Sequence, residues 1–128
     1  MLLYAKERRI GVSLHCVGAD GYLLDLLKRV KPLPFKCVWH GFNGSAETAK
    51  ELYKLKVIIS IGPHFNKDLK AITSANPYYV PETDYTGDNF LEHKRILSGQ
   101  YEKCSKLLHI SIEELEFLVN ERKRAFTA

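Results

Sequence analysis

Short apolar runs of strand length alternate along this chain with longer runs of helical period, and that alternation constrains the fold more than any other feature. Ile10 to His15 (Ile-Gly-Val-Ser-Leu-His) reads as a first strand. Asp20 is a fitting N-cap for the run from Gly21 to Val30, where Leu23, Leu24, Leu26, Leu27 and Val30 recur at helical spacing. Pro32 and Pro34 end that helix. Phe35 to His40 is a second strand, Gly41-Phe42-Asn43-Gly44 a turn, and Ser45 caps a helix reaching Leu55. Val57 to Ile61 is a third strand, rich in β-branched residues and stopped by Gly62-Pro63. Asn66 to Ser74 reads as a short helix, and Tyr78-Tyr79-Val80 opens a fourth strand running towards Asp84. Beyond the polar loop Tyr85 to Asn89, the C-terminal helices fill about residues 90–126. The first is expected to break near Ser98-Gly99. The second starts at the capping box Ser111-Ile112-Glu113-Glu114, with Ile112, Leu115, Leu118 and Val119 on one side. The order β-α-β-α-β-(α)-β-α-α predicts right-handed βαβ units and a parallel α/β sheet of four strands with flanking helices.

Residues 1–128 suffice for one domain with a real core. Apolar residues at 45% and charged residues at 27% exclude collagen, low-complexity disorder and a disulfide-stapled mini-protein. No apolar run approaches the ~18 residues of a membrane helix. The opening Met1 to Arg9 has neither a basic-then-apolar order nor a cleavage signal, so a cytoplasmic, membrane-free protein is expected. The formal charge of +4 permits a nucleic-acid or phosphate partner without arguing for one. Cys16, Cys37 and Cys104 are odd in number, widely spaced and without a CxxC, which reads as reduced, partly buried thiols.

Three titratable residues fall at corresponding places: His15 ends the first strand, His40 the second and Asp84 the fourth. In parallel α/β proteins the C-terminal ends of the strands form the edge where ligands bind. Two imidazoles and a carboxylate converging there suit a divalent cation such as Zn²⁺, Mn²⁺ or Fe²⁺, with a position left for water. Taken singly, a histidine at a strand end is more often structural or merely exposed. Cys37 and His40 are spaced as a zinc half-site, but residues three apart on a strand point to opposite faces and cannot share one ion. By the same alternation, Trp39 belongs to the core. Gly41 to Ser45 opens a helix and would offer backbone donors to a phosphate, or is simply a tight βα turn. His64 would reach the same rim, or is a solvated loop histidine. Lys67 and Lys70 read as solvated side chains, or would add positive charge near a phosphate.

Four segments carry a resemblance. Ser13-Leu14-His15-Cys16, Trp39-His40-Gly41-Phe42-Asn43-Gly44-Ser45-Ala46-Glu47-Thr48-Ala49, Ser60-Ile61-Gly62-Pro63-His64-Phe65-Asn66 and Pro81-Glu82-Thr83-Asp84, in that order, resemble the C-terminal half of TatD-type metal-dependent deoxyribonucleases. The resemblance runs from about Ala5 to Phe126. It implies the second half of an amidohydrolase-like (β/α)8 TIM barrel, present as a single partial domain. It also implies hydrolysis of a phosphodiester by metal-activated water. His15, His40 and Asp84 would be metal ligands, with Asp84 also the base on the attacking water. Glu82, one strand period before Asp84, would be a supporting or substrate-binding group, and His64 would touch substrate. The cofactor would be a divalent metal ion (zinc, magnesium or manganese) and the substrate DNA or another phosphoester.

The chain also departs from the family. It contains no His-x-His, which the family places on its first strand, and no counterpart of the metal-bridging Glu of the fourth. Activity impaired in this chain alone is therefore expected, and the alternative is an inactive half-barrel remnant serving as a binding or assembly module. Half a barrel exposes strand edges and an inner face, which self-association or a complementary half would cover.

Overall fold

The computed structural model describes the backbone of residues 12–15, 20–29, 37–83 and 87–127, and the side chains of residues 24–29, 37–83 and 87–122. Its elements are β1 (Val12–His15), α1 (Asp20–Arg29), β2 (Cys37–His40), α2 (Ala46–Lys54), β3 (Val57–Ile61), α3 (Leu69–Ala75), β4 (Tyr79–Pro81), α4 (Phe90–Leu108) and α5 (Ile112–Thr127). The strands form one parallel sheet in the order β1-β2-β3-β4. Sequence order and spatial order therefore coincide. That is the winding of a sheet whose crossover helices share one side, not of a doubly wound sheet, in which the order reverses.

Burial follows from this layering. In β2, Cys37 and Trp39 are buried while Val38 and His40 are half-buried. The buried set joins Val57, Ile59, Ile61 and Tyr79 in one core with Leu27, Ala49, Leu52, Leu69, Ile72, Leu115 and Val119. Trp39 packs edge-on against Phe42, with ring centroids 6.1 Å apart. All five residues of β3 are buried, the continuous apolar run expected of a parallel strand flanked on both sides, and Ser60 is its polar exception. Cys37 and Cys104 are free, buried thiols. Cys16, the Met1 to Arg9 segment and the Asp84 end of the fourth strand lie outside the described residues.

Local chemistry sets the helix ends. Ser45 caps α2 by accepting from Thr48 N, Asp68 caps α3 by accepting from Ala71 N, and Asn89 caps α4 by accepting from Glu92 N. Ser111 Oγ accepts from Glu114 N at 3.0 Å, the serine half of the expected capping box. Two expectations need correction. α3 begins at Leu69 and not at Asn66, because Asp68 supplies the cap and Asn66 N is drawn away to Asn43 Oδ1. α4 runs unbroken through Ser98-Gly99. A mid-helix glycine costs only about 1 kcal/mol relative to alanine. The next residues outweigh that: Gln100 Nε2 donates to Ile61 O at 2.9 Å, and Cys104 and Ser105 are buried. Among the described residues, no helix is long and apolar enough to cross a membrane.

Candidate active site

The C-terminal edge of the sheet is built by hydrogen bonds that continue past the strand ends. Phe42 N donates to Ser60 O at 2.9 Å, and Glu82 N donates to Ile61 O at 2.9 Å. The residues after β2 and β4 are thereby held against β3. Side chains alternate along a strand, so Glu82 shares the face of Val80, and His40 the face of Val38. That face is the half-buried one.

There the Glu82 carboxylate receives three donors from two other strands. His40 Nδ1 lies 2.7 Å from Oε2. Ser60 Oγ lies 2.7 Å and Gly41 N 2.8 Å from Oε1. Gly41 N is also 2.9 Å from Ser60 Oγ, so its N–H is shared between the two oxygens. Ser60 Oγ lies 3.3 Å from Trp39 O, but a hydroxyl has one proton, and the shorter, charge-assisted contact to Glu82 claims it. Gly41 takes a left-handed φ of +64°, which glycine adopts without the penalty of a Cβ, and this aims its N–H back at the carboxylate. The side chains of His40 and Glu82 are 33% and 15% exposed, so the pair is largely but not wholly withdrawn from water.

The structure brings together two of the residues singled out from sequence, His40 and Glu82. It sets a third beside them: His15 pairs with His40 in the register of β1 and β2. The His15 side chain and all of Asp84 lie outside the described residues. His64 stands exposed on the turn after β3, in a loop tied to the turn after β2 by Asn66 N donating to Asn43 Oδ1 at 3.1 Å. The segment from Gly41 to Ser45 is a tight βα turn with several of its polar groups used internally. Gly41 N serves Ser60 and Glu82, Asn43 serves Asn66, and Ser45 caps α2. Cys37 lies on the opposite face from His40, fully buried, and burial pushes its thiol up to about 12. A zinc half-site of Cys37 and His40 is excluded by this geometry. Among the described residues, no three or more His, Cys, Asp or Glu cluster as a metal-holding group.

Sequence reasoning missed Ser60 and the Gly41 N–H. A signal for Ser60 was present: a hydroxyl inside Val57-Ile58-Ile59-Ser60-Ile61 must find a partner if the strand is buried on both faces.

The comparisons with known proteins agree with this architecture. The chain matches the model of the TatD related DNase family over residues 1–126. No curated protein matches it in sequence. Among solved structures it is similar to a TatD family hydrolase from Entamoeba histolytica, with a TM-score of 0.69 and 17% identity. That alignment covers 97% of this chain and 52% of the other, so the chain spans about half the length of the neighbour. With a family match over nearly its whole length, the chain belongs to the TatD related DNase family.

Proposed function

We propose that this chain is the C-terminal half of a (β/α)8-barrel hydrolase and takes part in metal-dependent hydrolysis of phosphodiesters, with DNA as the substrate class. The observation that carries the reading is the contact between Glu82 and His40 at the C-terminal edge of the sheet. Histidines that ligate metals characteristically give one ring N–H to a carboxylate, which leaves the lone pair on the other nitrogen. Glu82 at Nδ1 puts that lone pair on Nε2, and the register sets His15 alongside. Two imidazoles and a carboxylate are donors of the kind a divalent metal takes.

In this reading His15, His40 and Asp84 hold the ion. A divalent metal bound there supplies a Lewis acid and makes water a nucleophile near neutral pH. Asp84 accepts the proton of the attacking water on its carboxylate. Glu82 holds the imidazole of His40 and acts through it, and exposed His64 meets the substrate from the loop after β3. As half a barrel, the sheet would be completed by a second copy or a complementary half. A clean monomer in sedimentation at micromolar concentration would overturn self-association.

The test is metal content by elemental analysis of protein purified without chelator, beside His15→Ala and His40→Ala. About one divalent ion per chain, lost in both variants, is expected, with nuclease activity assayed on the loaded protein. Metal uptake that survives both changes refutes the site. A second reading is an inactive half barrel that binds or assembles. It predicts no metal-dependent turnover, and only binding that weakens with salt.

A further inference from the structure

We infer that Ser60 is a positioning residue, which acts through Glu82 to fix the tautomer and orientation of the His40 imidazole. The inference rests on the proposed role of His40 for its functional meaning, but the geometry stands without it.

A carboxylate with one partner can rotate or swap its oxygens at little cost. Glu82 cannot, because its two oxygens have different company. Oε1 is held by Ser60 Oγ at 2.7 Å and Gly41 N at 2.8 Å, and Oε2 by His40 Nδ1 at 2.7 Å. Ser60 is 2% exposed and belongs to β3, the strand buried along its whole length, so its Oγ is presented from a well-packed position. Gly41 N shares its single proton between Ser60 Oγ and Glu82. Ser60 therefore gives the carboxylate a full donor and also aligns the second donor. Ser60 thus fixes which carboxylate oxygen faces His40 and where it sits, and a carboxylate oxygen, which only accepts, keeps the proton on Nδ1 to the extent that it is held in place. The chain of cause runs from a buried hydroxyl in the central strand to a ring nitrogen two side chains away.

Ser60→Ala removes the hydroxyl without adding bulk and leaves Gly41 N as the one donor on Oε1. Ser60→Thr restores the hydroxyl in a β-branched residue suited to a strand. The experiment is long-range ¹H–¹⁵N spectroscopy of His40 in the metal-free protein, with the imidazole verified neutral by its own ¹⁵N shifts, followed by zinc titration against a chelating indicator. Wild type is expected to show a protonated Nδ1 and a lone pair on Nε2. Ser60→Ala should shift population towards the Nε2–H form and weaken zinc binding about tenfold, the lower end of what such outer partners contribute. Ser60→Thr should restore both.

A purely structural serine would lower the melting temperature and leave the nitrogen shifts in place. Unchanged His40 shifts in a folded Ser60→Ala protein overturn the inference, whatever zinc does. If wild type takes up no zinc, the proposed function fails, and the nitrogen shifts alone still decide the role of Ser60.

Discussion

Replacing Glu82 by glutamine should invert the imidazole of His40. Gly41 N–H can only donate, so the atom facing it at 2.8 Å must accept. The amide of Glu82→Gln will therefore set its carbonyl oxygen against Gly41 and Ser60. Its NH₂ will then stand where Oε2 stood, 2.7 Å from Nδ1 of His40. Two donors cannot face each other at that distance, so Nδ1 must become the acceptor and the proton must move to Nε2. The lone pair moves from Nε2 to Nδ1, inside the network. Loss of such an outer partner costs about 10–100-fold in metal affinity, or about 1.4–2.7 kcal/mol, and inversion places this variant at the upper end. Stability should change little. Charge-assisted bonds weaken by about 1 kcal/mol each on becoming neutral, while the carboxylate's desolvation cost at 15% exposure disappears. Glu82→Ala is the contrast. Gly41 N keeps Ser60 Oγ at 2.9 Å, the Ser60 proton turns to Trp39 O at 3.3 Å, and His40 is exposed enough to take water, so affinity falls without inversion. The assays are ¹⁵N shifts of His40 and competitive zinc titration. A Glu82→Gln protein with Nδ1 still protonated and wild-type zinc affinity would refute the argument.

Two further predictions concern the core. Burial raises Cys37 from 9.0 to about 12 and Cys104 from 9.0 to about 11, and raises Tyr79 and Tyr101 in the same sense. The unfolded chain ionises first, so this stability is complete below the ordinary thiol pKa of 9.0 and is lost as pH rises towards 12. The loss is about 1.4 kcal/mol per pH unit for each thiol. Urea unfolding at about pH 8 and pH 10.5 should show a clear drop, shallower in Cys37→Ala, and equal stabilities would contradict it. Asn76 is fully buried, with Nδ2 on Val57 O at 3.2 Å and Oδ1 accepting from Tyr78 N at 2.9 Å. Asn76→Ala should cost about 1–3 kcal/mol for each backbone group left unpaired, and a urea midpoint equal to wild type would show that water replaces the amide.

Alternating patterns made most of the architecture readable. Cys37 and Trp39 declared their burial through strand alternation, the β3 run through its continuous apolar character, and Ser45 and Ser111 declared helix starts through capping chemistry. The unbroken α4 was hidden because Gly99 is a local cost and its compensation is distant: Gln100 reaches a carbonyl 39 residues back. The site was half legible. His40 stood out by residue type at a strand end and Glu82 through the family resemblance, but their contact joins positions 42 apart in sequence and depends on the register of three strands. Ser60 was hidden for the converse reason. Its residue type suggests nothing catalytic, and only its burial shows that it must be paired.

The polar link across β2, β3 and β4 also bears on how a ligand would be met. The Gly41 N–H, the Ser60 hydroxyl and the Glu82 carboxylate tie the ends of three strands to one another, in addition to the backbone bonds that hold Phe42 and Glu82 against β3. The entropy of ordering the imidazole is then lost once, when the sheet forms, and not again at each encounter. A ligand that engages His40 meets a ring already aimed, so its affinity reflects the new contact with little deducted for rearrangement. The same economy has a consequence for damage: a substitution that loosens the sheet edge, even far from His40, would register as weaker binding before it registered as unfolding.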